Sequence, residues 1–397
     1  MDFCYNTFMQ TYEIKVTSAM GVEGAVKKEL RALGFPDAKA FDGSITLNGT
    51  SSDVARFNLF LRCADRVYIK LLSFSAETFD ELFDGVYSFA FGDLLPFNAK
   101  ILINGKCKNS KLFAISACQS IVKKAVLSSL SRRYRKNVFP ESGETYRFEF
   151  TLEKDLFSLY LNTSGEGLHK RGWRDLVGEA PLRETLASAL LSYSDFSPDL
   201  PFCDPFCGSG TILIEAAQRA LNLAPGKNRS FDFVKWDFFD ENAYRLAKQE
   251  ALDKETPDKK LHFYGFDVNP KAVSLSLRHA ERAGVRDKIH IQTQDVKNFR
   301  CSYPNGCIVT NPPYGERLLS EKEVTPLYKT LASVYHTLDN WSLFAITAAP
   351  RFEKAFGQKA DRKRKLFNSN IECCYYGYDK PSPLPRPLKK QPYDPKM

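Results

Sequence analysis

The stretch Leu200-Pro201-Phe202-Cys203-Asp204-Pro205-Phe206-Cys207-Gly208-Ser209-Gly210-Thr211 constrains the fold more than any other part of the chain. It reads as an apolar strand ending in an acid, then a Gly-x-Gly turn, then a helix from Ile212 to Leu221. Gly208 and Gly210 let the backbone bend tightly and come close to a ligand. The full G-x-G-x-x-G pattern of a dinucleotide site is absent, and so is the G-K-[ST] ending of a P-loop. What remains is an α/β nucleoside-cofactor loop, with Asp204 placed to meet a cationic or amino group.

The same design recurs downstream. Leu261-His262-Phe263-Tyr264-Gly265-Phe266-Asp267 is a second strand ending in an acid, the position from which ribose hydroxyls are held. Its separation from the glycine loop exceeds the usual spacing of about 20 residues. The excess is assigned to an insertion between about Gly226 and Lys259 that holds Trp236 and many charges. A third strand, Ile289-His290-Ile291-Gln292, leads to Asp295, which would accept from an adenine amine. Any one of these acids reads equally well as a helix cap or a surface group. Three at the carboxyl ends of successive strands match where open α/β sheets bind ligands.

The apolar run Cys307-Ile308-Val309 then breaks into Thr310-Asn311-Pro312-Pro313-Tyr314-Gly315. Paired prolines fix φ, donate no backbone hydrogen bond and push the preceding residues to extended geometry. The loop is stiff, its carbonyls are free to accept, and an amide and an aromatic ring flank it. Such a loop suits a planar base with an exocyclic amine. The Asn311 oxygen and a proline carbonyl would accept the two amine hydrogens, and Tyr314 would stack on the ring. Taken alone, the tetrapeptide Asn311 to Tyr314 also reads as a proline-rich turn after a strand.

A chain of 397 residues has room for two or three domains, and its hydrophobic share of 43% supports real cores. A formal net charge of +9 permits a polyanionic partner without demanding one. No apolar run is long enough to span a membrane, and Met1-Asp2-Phe3-Cys4-Tyr5 is not a secretory signal, so a cytoplasmic protein is expected. Ten cysteines and five histidines show no metal-site spacing, which predicts reduced thiols and no metal.

The first half alternates strands and helices. Residues 1–72 read as a small α+β unit of ferredoxin-like type and 73–163 as a second α+β unit. The second has a polar loop carrying Lys106, Lys108 and Lys111, and a long helix from about Leu112 to Arg135. That helix closes on Arg132, Arg133, Arg135 and Lys136. A basic last turn complements the helix dipole, and it also suits phosphate contact. The boundary near residue 163 precedes a linker with Lys170, Arg171 and Trp173, and Ala180-Pro181 opens a helix from Leu182 to Leu191. Arg362, Lys363, Arg364 and Lys365 form another basic stretch, read either as a solvated loop or as contact with a phosphate backbone, with Trp173 as an added stacking surface. Residues 164–380 read as an α/β domain, and the proline- and lysine-rich residues 381–397 as an extended tail.

In combination, Asp204 to Thr211, Gly265-Phe266-Asp267 and Thr310 to Arg317 resemble the motifs of class I S-adenosylmethionine-dependent methyltransferases that methylate amines. The segment Gly105 to Phe113 resembles a THUMP domain behind a ferredoxin-like one. With His169 to Arg174 and Ala180 to Thr185, the whole chain is similar to the bacterial RlmL family, which makes N2-methylguanine in large-subunit ribosomal RNA. The resemblance implies an α/β fold: a ferredoxin-like plus THUMP α+β region, then a Rossmann-like domain with a mostly parallel seven-stranded sheet. It implies that Asp204, Pro205, Gly208, Gly210 and Thr211 line the methionine part of S-adenosylmethionine. Asp267 would take the ribose and Asp295 the adenine, while Leu182 and Thr185 cover the cofactor. Asn311, Pro312, Pro313 and Tyr314 would hold the target base, with no dedicated general base. The chain looks like the shorter form with one methyltransferase domain. Alternative readings are a tRNA guanine-N2 methyltransferase, a DNA adenine-N6 methyltransferase and a non-catalytic RNA-binding assembly factor.

Overall fold

A computed structural model describes residues 11–175, 182–314 and 321–379. Ala180-Pro181, the glycine and charged residues after Tyr314, and the tail from 381 lie outside the described residues. The chain divides into two compact units.

The first unit comprises Met1–Ala19, Glu23–Arg171 and Ala224–Lys254. Its strands are β1 (Tyr12–Thr17), β2 (Lys39–Phe41), β3 (Ser44–Gly49), β4 (Arg66–Ser75), β5 (Lys100–Lys108), β6 (Thr145–Glu153) and β7 (Leu156–Asn162). They form one continuous sheet in the order β2-β3-β1-β4-β7-β6-β5. The ferredoxin-like strands and those after residue 73 therefore share a single sheet, joined by the antiparallel β4–β7 pair. Alternation decides the faces. Ile14, Val16, Ile101, Phe148 and Phe150 are buried on one side. The other side carries Glu13, Lys70, Tyr160, Glu149 and Asn104 in successive register across five strands. Lys106 and Lys108, expected on a loop, lie within β5. The expected long helix runs from Ile115 to Tyr134.

The insertion predicted between Gly226 and Lys259 groups with this first unit rather than with the strands it interrupts. Its helix Glu241–Asp253 buries Ala243, Ala247 and Ala251, one small residue per turn. Glu250 takes both arms of the Arg56 guanidinium, at 2.8 and 3.1 Å, from helix Ser51–Phe60. Trp236 stacks on Tyr146 with ring centroids 5.3 Å apart, and its indole N–H reaches the Thr145 carbonyl. Arg229 donates to four backbone carbonyls, those of Ser164, Glu166, Gly167 and Lys170, at 2.6–3.1 Å.

The second unit comprises Met20–Val22, Gly172–Leu223 and Glu255–Met397. Its strands are β8 (Phe202–Asp204), β9 (Phe263–Asp267), β10 (Ile289–Thr293), β11 (Gly306–Thr310), β12 (Trp341–Thr347), β13 (Arg362–Asn368) and β14 (Ile371–Tyr378). The order is β10-β9-β8-β11-β12-β14-β13. The five strands from β10 to β12 are parallel, and β14 is antiparallel to β12 and β13. This is the mostly parallel seven-stranded sheet expected from the sequence. The central strands β8, β11 and β12 are buried on both faces, so β11 and β12 read as continuous apolar runs rather than alternating ones. No helix among the described residues is long and apolar enough to cross a membrane.

Candidate active site

The sheet order puts Asp295, Asp267, Asp204 and Asn311 at the carboxyl ends of four neighbouring strands, β10, β9, β8 and β11. The winding direction reverses between β8 and β11. Such a switch point opens a crevice outside the strand ends, where α/β sheets bind ligands. Asp204 and Asn311 flank it.

The glycine loop is fixed by its neighbours. Gly208 has φ +51° and Gly210 φ +82°, both in the left-handed region. A Cβ on Gly210 would lie 2.4 Å from Ser276 Oγ, so the helix Pro270–Arg282 packs against the loop without room for a side chain. A Cβ on Gly208 would meet no atom within 4 Å, so this turn faces open space. The Gly208 N–H donates to Asp267 Oδ2 at 3.0 Å and the Asn269 N–H to Oδ1 at 2.8 Å. Each carboxylate oxygen keeps a second lone pair for a ligand hydroxyl. Asp267 thus orders the loop and remains able to accept.

Asp295 is a 3-10 helix cap as well as a candidate ligand group. Its carboxylate accepts from the Lys297 N–H at 2.9 Å and pairs with the Lys297 ammonium, and the backbone bond chiefly lowers its pKa.

Asp204 is buried. Its Oδ1 accepts from Thr310 Oγ1 at 2.7 Å and from the Phe206 N–H at 3.2 Å. Burial pushes its carboxyl up to about 7, against these two hydrogen bonds. The acid of the glycine loop is therefore tied directly to the residue before Asn311.

Around the paired prolines, Tyr328 donates its phenol O–H to the Pro313 carbonyl at 2.7 Å. Asn368 Nδ2 donates to the Tyr314 hydroxyl at 3.0 Å, with Cys373 Sγ 3.7 Å from the same oxygen. Burial raises the Tyr314 phenol pKa, so the ring is neutral at physiological pH. Asn311 Oδ1 is buried and accepts no hydrogen bond. A buried acceptor left unmatched is costly, which marks a place meant for a donor.

Leu182 and Thr185 are buried at the start of helix Glu184–Tyr193, and Pro205 and Thr211 are buried beside the loop. Sequence reasoning missed what joins them. The Arg174 guanidinium reaches Glu184 Oε1 at 3.1 Å and Thr211 Oγ1 at 2.7 Å. Tyr328 and Asn368 were missed as well, and so was the bond from Thr310 to Asp204, though Thr310 itself opens the proline motif. Neither Tyr328 nor Asn368 belongs to a recognisable short pattern, and only the fold shows what each one touches.

Several expected RNA contacts need correction. Trp173 is 1% exposed and packs on His279, centroids 5.5 Å apart, so it offers no stacking face. Arg171 is 2% exposed, with its guanidinium on the Leu168 and Arg62 carbonyls. Arg362 is held between Asp195 and Asp379, which neutralise it. Arg362 to Lys365 form part of an edge strand, not a loop. There Lys363 pairs with Glu353, Lys365 with Glu372, and Arg364 lies over the Tyr193 ring. In the first unit Lys108 pairs with Glu153, Lys111 with Glu77 and Lys170 with Glu166, but all three stay largely exposed. Arg132 lies over the Tyr87 ring, Arg133 faces Asp93, and Arg135 and Lys136 are exposed. Among the described residues, no group of His, Cys, Asp and Glu is arranged to hold a metal.

A model of the RMKL-like methyltransferase domain matches residues 171–377, the span that holds this crevice, and a model of the RlmL ferredoxin-like domain matches residues 13–68. The chain belongs to the RMKL-like methyltransferase family. It is 41% identical over 372 residues to "Putative RNA methyltransferase YpsC" of Bacillus subtilis (strain 168), covering 93% of this chain and 96% of that protein. Among solved structures it resembles SMU.472, described as a putative methyltransferase complexed with SAH, at TM-score 0.89 and 36% identity over 94% of this chain and all of that one. It also resembles a Listeria monocytogenes protein described as a predicted N6-adenine-specific DNA methylase. That match has TM-score 0.90 and 39% identity, over 96% of this chain and 99% of that one.

Proposed function

We propose that this protein transfers a methyl group from S-adenosylmethionine to the exocyclic N2 of a guanine in RNA, with 23S ribosomal RNA as the target. The observation that carries this reading is the buried, unmatched Asn311 Oδ1 beside a loop whose prolines cannot donate. Together with the Pro312 carbonyl next in the chain, that acceptor suits a group that offers two hydrogens, as an exocyclic amine on a planar base does.

The crevice fits the cofactor. The Gly208 turn faces open space, and the outward lone pairs of Asp267 suit two ribose hydroxyls. Asp295 suits an adenine amine. S-adenosylmethionine, when bound, supplies a methyl group already activated on a sulfonium. The residues of the chain then only have to orient the attacking nitrogen. Asn311 Oδ1 and the Pro312 carbonyl would accept the amine hydrogens, which concentrates the nitrogen lone pair away from the ring and stabilises positive charge as the N–C bond forms and the C–S bond breaks, and the surplus N–H proton then passes to water. Tyr314, anchored through its hydroxyl, presents its ring face to the base, and Tyr328 holds the loop by its Pro313 carbonyl. The base leaves its stack to enter, at a cost of roughly a few kcal/mol.

RNA is favoured by the name of the Bacillus subtilis relative and by exposed cations such as Lys106, Arg135 and Lys136. A second reading, adenine N6 in DNA, has the description of the Listeria monocytogenes structure behind it, and the same clamp suits that amine. The test is transfer of a tritiated methyl group to 23S rRNA, tRNA and DNA, followed by nucleoside mass spectrometry. N2-methylguanosine from 23S rRNA is the expected product. Exclusive N6-methyladenine, or no transfer to any of the three, overturns the reading.

A further inference from the structure

A second polar cavity, separate from the crevice, lies within the first unit. It has a volume of about 390 Å3, within the range of about 300–1,000 Å3 typical of small-molecule pockets. The parallel pairing of β5 and β6 sets Asn104 directly opposite Glu149 and Leu102 opposite Arg147. Lys106 follows two residues along on the same face. Arg66, at the start of β4, and Gly165-Glu166, just beyond β7, complete the wall.

The cations around this cavity differ in what they already hold. Arg147 is neutralised by Asp232, and Glu166 is occupied by Lys170. Lys70, Lys108 and Lys111 each have a carboxylate partner. Among the described residues, the side chains of Arg66, Lys106 and Asn104 make no hydrogen bond, and neither cation has an ion pair. Glu149 is oriented by the Tyr68 phenol, which donates to Oε2 at 2.7 Å and leaves Oε1 available. Two uncommitted cations, an uncommitted amide and one aimed carboxylate oxygen thus surround one space. The cations match a phosphate, and the amide and carboxylate match hydroxyls or N–H groups.

We propose that this cavity is a nucleotide subsite, in which Arg66 and Lys106 take the phosphate while Asn104 and Glu149 take the ribose or the base edge. The nucleotide belongs either to an unpaired stretch of RNA or to a free 5′-mononucleotide. Only the first source rests on the RNA reading given above.

The test is equilibrium titration of the full chain with guanosine 5′-monophosphate, guanosine, inorganic phosphate and a single-stranded oligoribonucleotide. It compares the unaltered protein with Arg66→Gln/Lys106→Gln, Lys106→Glu and Asn311→Ala. Lys106 is exposed, so Lys106→Glu keeps the fold, and far-UV circular dichroism checks the double variant. The monophosphate is expected to bind about tenfold or more tightly than the nucleoside, and to lose about that much in either charge variant. Asn311→Ala should leave this binding unchanged, so a failed catalytic reading and a failed subsite give different results. If the monophosphate competes with the oligoribonucleotide and both weaken in the charge variants, the source is RNA. If only the monophosphate weakens, the source is the free nucleotide. Equal binding of nucleoside and nucleotide overturns the proposal. So does full affinity in Lys106→Glu, or nucleotide binding that is lost in Asn311→Ala, or no saturable binding of any probe.

Discussion

Two side chains flank the switch point, Asn311 and Asp204, and each makes a separate prediction. Asn311 holds an acceptor that its surroundings leave unmet, a cost of about 1–3 kcal/mol that a bound amine would relieve. Asn311→Ala should lower methyl transfer by about 10²-fold or more, the scale of losing one preorganised charge-stabilising group. Cofactor affinity by calorimetry should move less than about twofold, because the cofactor acids are untouched. Asp204 has a native pKa of about 7 against an ordinary 3.8, because burial disfavours its charge. Between these values the folded protein binds more protons than the unfolded chain, so unfolding free energy falls as pH rises from about 4 to about 7. Asp204→Asn keeps an acceptor for Thr310 but cannot ionise. Urea unfolding across that range should show the falling component in the natural protein and not in the variant. At this scale the motif letters were legible in the sequence because chemistry restricts them to few residue types. Burial was not legible. Trp173 and Arg171 sit among glycines and cations that read as solvent-facing, and only the packing of His279 and the Arg62 carbonyl around them shows otherwise.

Elements were readable wherever one face is apolar. The strand-turn-helix at Asp204, the buried run before Asn311 and the helix within 115–134 all follow from periodicity and punctuation. The far half of one strand and the start of another read as loops in the sequence, for one physical reason. Half of β5 presents Asn104, Lys106 and Lys108 on the polar face of its sheet, and β13 is an edge strand made of Arg-Lys-Arg-Lys. A strand with a polar face or a charged edge lacks the alternation that identifies it, and edge charges also serve to block pairing with other chains. The helix Glu321–His336 shows how an element positions a loop from outside it. Its Tyr328 supplies the only donor that the Pro313 carbonyl takes among the described residues. Tyr328→Phe removes one oxygen atom and keeps the ring. Methyl transfer should drop about tenfold at saturating substrate with cofactor affinity retained, since a slackened loop misaligns the clamp. An unchanged rate would show that the prolines are stiff enough alone.

For the molecule as a whole, domain order along the chain is not the same as membership in space. Residues Ala224–Lys254 are numbered among the methyltransferase strands yet belong to the first unit. The sequence revealed an insertion through the long gap before Asp267, but its destination depends on partners such as Arg56 and Tyr146 far back in the chain. Arg229 is the tightest of these ties. Arg229→Ala strips the donor from four carbonyls of the 164–170 segment and should cost about 2–4 kcal/mol. Hydrogen exchange should quicken first at the Leu168 and Lys170 amides, whose bonds to Asp65 and Gly167 depend on that segment's shape.

The returning insertion also limits how this protein can be taken apart. A gene cut after codon 171 looks like a clean excision of the amino-terminal module, yet its product would show bare flanks to water where Tyr146 meets Trp236 and where helix Ser51–Phe60 meets Glu241–Asp253. The same geometry bears on ancestry. A recombination event that exchanged only the front of the chain would strand a matched surface on the other parent.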